Sequence, residues 1–206
     1  PDAGMFMMLD VRGTGLSAGE FSNRLYEAEG VAVLDAMGDH AGRDLFAVGE
    51  YWSPDVNNLH LYLNRLGPRM SLFDVALHYN FHSASRMGGN YDMRRILDGT
   101  LMQQRPYQAV TFVENHDSQP LQALESVVEP WFKPLAYAMI LLRREGYPCV
   151  FHADYYGAEY EDRGRDGQLY RIVLPSHRAL IDQFLHARRH HAHGSQYDYF
   201  DHWNRV

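Results

Sequence analysis

Four apolar runs, each followed by a stretch with helical spacing, constrain this chain more than any other feature. LFAVGEYW (45–52), SLFDVALHYNF (71–81), AVTFVEN (109–115) and YPCVFHADYYG (147–157) read as strands. They are near-continuous apolar runs, the pattern of strands covered on both faces of a sheet. Helices are expected between and after them, near Pro54–Leu66, Met93–Leu101, Glu129–Glu145 and Ser176–Arg189. In the first helix Val56, Leu59, Leu63 and Leu66 recur three or four apart, which makes one apolar face. Pro130 suits a first turn and Ser176 suits a cap. Four β-α units in a row predict a parallel α/β sheet, either doubly wound or a barrel. No glycine-rich phosphate loop is present, which weakens the doubly wound, nucleotide-binding reading.

A further β-α-β pattern precedes these units. Met5–Val11 reads as a strand, SAGE (17–20) as a capping box, and the helix it opens stops at Gly30 before a short strand, Val31–Leu34. The polar, glycine-bearing segment Asp35–Arg43 reads as a joint between two parts.

Composition narrows the partners. Apolar residues make up 46% and charged residues 22%, the range of an ordinary globular protein, and the net charge is −7. That balance argues against nucleic acid and against a basic membrane patch. No apolar run reaches the length of a membrane span. Cys149 is the single cysteine, so an intrachain disulfide is ruled out. No signal peptide is visible, which favours a cytoplasmic location, although the opening Pro1 suggests a start cut from something longer.

In parallel α/β folds ligands bind where the strands end. The four expected strands deliver, in order, Glu50 with Tyr51 and Trp52; His78, Asn80 and His82; Asn115, His116 and Asp117; and His152, Asp154 and Tyr155. One acid after a strand is usually a cap or a solvated loop group. Two acids with aromatic neighbours at one end of one sheet suggest more. Neighbouring carboxylates drive their pKa values apart, and paired carboxylates flanking a bond are what glycoside hydrolysis needs.

From about His40 onward these motifs resemble the α-amylase family of glycoside hydrolases, closest to its bacterial liquefying and cytoplasmic members. The carrying stretches are DLFAVGEYWS (44–53), LFDVALHYNFHSASRMGGNYDM (72–93), TFVENHDSQP (111–120), EPWFKPLAYAMILLRREGYPCVFHADYYG (129–157) and YDYFDH (197–202). The resemblance implies a partial (β/α)8 TIM barrel, strands five to eight, spanning residues 39–196, with a C-terminal β-domain beginning at 197. It implies α-1,4-glucans as substrate and a retaining mechanism. Glu50 takes the place of the general acid/base and Asp117 that of the transition-state-stabilising acid. His116, Asn115, Tyr51, Trp52, Tyr155 and Tyr156 take substrate-binding places.

The family's nucleophile motif on strand four is not matched. VAVLDAMGDH (31–40) puts Asp35 in its place, but Val33 stands where an arginine is required and Gly38-Asp39 replace Lys-His. Only Ala36–Asp44 separates Asp35 from the next strand, too little for a helix. A chain without that strand is expected to be a fragment, inactive by itself. A non-catalytic half-barrel that binds glucan weakly, or pairs with another copy through exposed strand edges, is the alternative. Residues 1–38 instead resemble a C-terminal segment of class I aminotransferases, without a lysine for a Schiff base.

No metal ligand is assigned. The family binds calcium, and a second family site would use backbone near Gly89 and Tyr91 together with Asn204. His190, His191 and His193 read as a polar helix end rather than a metal site. Asp162, Arg163, Arg165 and Asp166 read as a solvated loop.

Overall fold

The computed structural model describes residues 46–68 and 70–204. The expected β-α-β unit at 1–38, with its capping box, and the joint after it lie outside the described residues. β1 (Ala47–Gly49), β2 (Met70–Phe73), β3 (Ala109–Phe112) and β4 (Tyr147–Cys149) form one sheet in chain order, every pair parallel. All four residues of β3 are buried. Among the described residues β1 pairs only with β2 and β4 only with β3, so no closed barrel is seen. The sheet is curved, however. Phe46 and Tyr147, at opposite edges, bring their rings within 5.0 Å, although three strand spacings of about 4.8 Å separate the edges of a flat sheet.

Local chemistry explains the elements. Asp55 caps α1 (Val56–Leu66) by accepting the Asn57 N–H at 2.9 Å. The buried residues of α1 are the expected Val56, Leu59, Leu63 and Leu66. Gly146 turns the chain into β4 at φ 77°, and a Cβ there would lie 2.7 Å from Thr111 Cγ2, so both conformation and space demand glycine.

Several expectations need correction. The run 71–81 is not one strand. β2 ends at Phe73, and α2 (Val75–Met87) begins after Asp74. Asp74 ends the strand because its carboxylate caps α2 through Leu77 N–H at 3.1 Å. The same carboxylate accepts Leu101 N–H at 3.1 Å and Met102 N–H at 2.6 Å. It therefore also anchors α3 (Leu101–Gln104), which Thr100 caps. His78, Asn80 and His82 consequently lie on a helix, not at a strand end. The helix expected over 93–101 is a 3-10 turn, Met93–Arg95, followed by α3. The run 147–157 breaks likewise: β4 ends at Cys149 and α5 covers His152–Tyr156. The remaining helices are α4 (Lys133–Leu142) and α6 (Arg178–His190). Both begin later than expected: Pro134 rather than Pro130 stands in the first turn of α4, and His177 rather than Ser176 is the N-cap position of α6.

The expected loop at 162–166 belongs to a hairpin. β5 (Ala158–Arg163) and β6 (Leu169–Leu174) pair antiparallel, with Gly164 and Gly167 in the turn region. Along β5 half-buried and exposed residues alternate. The hairpin docks on the segment after β3: the Tyr160 hydroxyl donates to Pro120 O at 2.6 Å, and Gln122 donates to Asp162 at 2.9 Å. Among the described residues no helix is long and apolar enough to cross a membrane.

Candidate active site

Glu50 is exposed and follows β1 directly. Asn115, His116 and Asp117 follow β3 after Val113 and Glu114. Because the strands are parallel, both groups leave the same end of the sheet. Asn115 joins them. Its side-chain N–H donates to Glu50 Oε1 at 3.2 Å, while its Oδ1 accepts the backbone N–H of Asp117 at 3.1 Å and of Ser118 at 2.8 Å. His116 is exposed, with Nε2 3.7 Å from Asp117 Oδ1. The structure thus gathers Glu50, Asn115, His116 and Asp117 into one polar cluster.

The aromatic candidates fall into two groups. Tyr51 stacks on Tyr62 of α1, with ring centres 4.9 Å apart. Trp52 is half-buried and donates its indole N–H to the Tyr79 hydroxyl at 3.1 Å. Its ring packs on His78 and Phe112, which places it between β1 and β3. These two residues border the cluster. Tyr155 and Tyr156 do not meet it. Tyr155 donates to Asp182 of α6 at 2.6 Å and lies under the Arg178 guanidinium; Tyr156 packs on Tyr155 and His152.

His78 is buried against Trp52 and Phe112. Its ring lies parallel to Phe112 at 5.2 Å and has hydrogen-bond partners at both nitrogens, Val113 O and Ser126 Oγ, each at 2.8 Å. Val113 O can only accept, so Nδ1 carries the proton; at Nε2 the Ser126 hydroxyl is shared with a second acceptor, Leu124 O, at 2.9 Å. Burial lowers the His78 pKa to about 4, which keeps the ring neutral.

Beneath the cluster is a charged group that sequence reading did not connect. Glu114, Lys133 and Asp154 are 2%, 3% and 1% exposed. Lys133 Nζ lies 2.7 Å from Glu114 Oε2 and also bonds Asp154 Oδ1. Tyr137 donates to the other Asp154 oxygen at 2.7 Å. Burial pushes the Glu114 carboxyl up to about 7, against the opposing pull of Lys133. Burial also works against the charge on Lys133, but the two carboxylates outweigh it and leave its pKa raised. A signal was available. Lys133 is the only lysine in the sequence and opens an otherwise apolar helix, where a lone charge demands buried partners.

The resemblance implies a second calcium position near Gly89, Tyr91 and Asn204. Met93 N–H donates to Trp203 O at 2.6 Å, which brings that chain segment beside the one carrying Asn204. Among the described residues no three His, Cys, Asp or Glu side chains converge as metal ligands. Asn204 and backbone carbonyls near Gly89 and Tyr91 would be the oxygen donors there, a donor type calcium accepts.

Known proteins resemble most of this chain. It is 51% identical over 169 residues to an α-amylase of Geobacillus stearothermophilus, covering 82% of this chain and 29% of that protein. It is 54% identical over 173 residues to the cytoplasmic α-amylase of Escherichia coli, covering 84% and 35%. It is 50% identical to a glucan 1,4-α-maltohexaosidase of a Bacillus species, covering 80% and 30%. The chain therefore spans about a third of the length of these relatives. A shorter match, 54% identical over 43 residues, is to an arginine–pyruvate transaminase of Pseudomonas aeruginosa; it covers 20% of this chain. No protein-family model matches. Among solved structures, a cyclic α-maltosyl-(1→6)-maltose hydrolase of Arthrobacter globiformis superposes with a TM-score of 0.48 at 14% identity, over 80% of this chain and 37% of its own. At half identity across four-fifths of its residues, the greater part of this chain is α-amylase-family sequence.

Proposed function

We propose that residues 46–204 form part of an α-glucan hydrolase site, the part that supplies the acid/base and the third acid. The observation that carries this is Asn115, which bonds Glu50 at the end of β1 and Asp117 beyond β3 at once. In a retaining reaction Glu50 protonates the leaving glycosidic oxygen, and Asp117 holds sugar hydroxyls and stabilises the oxocarbenium-like state. His116 and Asn115 contribute polar contacts, and Tyr51 and Trp52 contribute apolar faces for sugar rings. The curved parallel sheet is half of a (β/α)8 barrel in this reading. Residues 1–38 are a separate, aminotransferase-like segment.

A covalent intermediate needs a nucleophile on the opposite face of the sugar. Within these 206 residues the family's nucleophile motif has no acceptable match. The purified chain is therefore expected to release little or no reducing sugar from starch. Clear hydrolysis that Glu50→Gln abolishes would overturn the inactive-fragment part of this reading and leave the role of Glu50 standing. Hydrolysis that survives Glu50→Gln would overturn the role itself.

A second reading has its own support. Phe46 is 61% exposed, Val48 41% and Tyr147 44%, along the two edge strands. Edges that pair with no further strand among the described residues, and that carry apolar side chains, favour association with another copy. Light scattering at rising concentration tests this: a dimer supports edge pairing, and a strict monomer removes it.

A further inference from the structure

We propose that Glu114, held by Lys133, is a positioning residue of the site: it sets the Asn115–Ser118 turn and, through Asn115, the orientation of Glu50. This rests on the glucan-site reading for Glu50, but its geometry stands on its own. Glu114 leaves β3 pointing inward, where Lys133 pins Oε2 at 2.7 Å. Its other oxygen accepts the Ser118 hydroxyl at 3.2 Å and the Val128 N–H at 3.4 Å. Ser118 Oγ in turn accepts the backbone N–H of Asn115 at 2.9 Å. Asn115 closes the turn on Ser118 N–H and reaches Glu50. An unbroken series of polar contacts thus runs from a buried ion pair to an exposed carboxylate.

Chemistry explains why these residue types recur along the series. The lysine is a compact point charge with three donors, which suits two carboxylates arriving from different directions. Through Asp154 the same ammonium also ties the start of α5 to the end of β3. The turn therefore rests on a base clamped to the end of β3, to α5 and to α4. A serine hydroxyl can donate to Glu114 and accept from Asn115 together, which an alanine cannot do. Rigid support of this kind keeps a site carboxylate within the narrow geometry that catalysis tolerates.

The test needs no catalysis. In 15N-labelled chain, the side-chain amide of Asn115 is followed from pH 3 to 8. A step that Glu50→Gln removes reports the Asn115–Glu50 contact. The expected result is that Ser118→Ala and Glu114→Gln abolish this step, Ser118→Thr preserves it, and sheet resonances from β2 and β3 stay in place. If Glu114→Gln fails to fold, Ser118→Ala with its threonine control carries the test. Persistence of the step in Ser118→Ala, or its absence from the unaltered chain, overturns the proposal. Maltoheptaose titration of the unaltered chain is a separate readout, so loss of the glucan reading and loss of the positioning role are told apart.

Discussion

Replacing Asp74 by alanine should reveal how two helices depend on one carboxylate. The side chain is fully buried and accepts three buried backbone N–H groups, from Leu77, Leu101 and Met102. Each donor left unsatisfied costs about 2 kcal/mol. Against this stands the cost of burying a carboxylate. Burial raises the Asp74 pKa from 3.8 to about 6, despite the three N–H groups, which is worth about 3 kcal/mol above pH 6. The net loss in Asp74→Ala is therefore about 3 kcal/mol at pH 7.5. The sign of the pH dependence follows from the raised pKa. Asp74 contributes most below its unfolded pKa, and that contribution is lost as pH rises through about 6. The penalty of the substitution should thus grow by about 1.4 kcal/mol between pH 7.5 and pH 5. Urea unfolding followed by circular dichroism measures it, with an expected midpoint shift of about 1 M or more at pH 7.5. Asp74→Asn, which cannot ionise either, should cost less at pH 7.5 and show the same slope. A midpoint within about 0.3 M of the parent, or a penalty equal at pH 5 and 7.5, would refute the reasoning.

Three further outcomes are expected. His78, with a folded pKa near 4, should make the chain lose up to about 3 kcal/mol of stability as pH falls from 6.5 towards 4; His78→Gln should flatten that part of the profile, and an unchanged profile counts against a neutral buried ring. Lys133, as the only lysine and 3% exposed, should resist amine acylation in the folded chain and become reactive in denaturing urea; Lys133→Met should destabilise by about 3–5 kcal/mol because two carboxylates are left buried. Tyr160→Phe, which removes the bond to Pro120 O, should cost about 1 kcal/mol and speed amide exchange along β5 and β6 without altering β3.

The parallel order of the sheet was readable because strands covered on both faces must be continuously apolar, as AVTF is. The same property hid two helix starts. In LFDVALHYNF the apolar run crosses Asp74, which caps α2 through Leu77 N–H and also holds amides 27 and 28 residues away. YPCVFHADYYG conceals α5 in the same way. The hairpin was missed because its turn, around Arg165 and Asp166, is charged, while its pairing is set by alternation on one docked face. Within the candidate site, Glu50, Asn115, His116 and Asp117 were legible as polar residues following strands. The placement of Tyr155 towards α6 was not, since a helical turn after β4 rotates it away. Nor was the Glu114–Lys133–Asp154 group, whose members come from three elements far apart in the chain.

The central claim is that Glu50, Asn115, His116 and Asp117 form one glucan-contacting cluster. Titrating 15N-labelled chain with maltoheptaose tests it most directly. The account predicts saturable shifts centred on these four residues and on Tyr51 and Trp52, weakened at least tenfold in Asp117→Ala. Saturable shifts centred instead on exposed aromatics such as Tyr107, Tyr197 or Trp203, or no shifts at millimolar sugar, would contradict it.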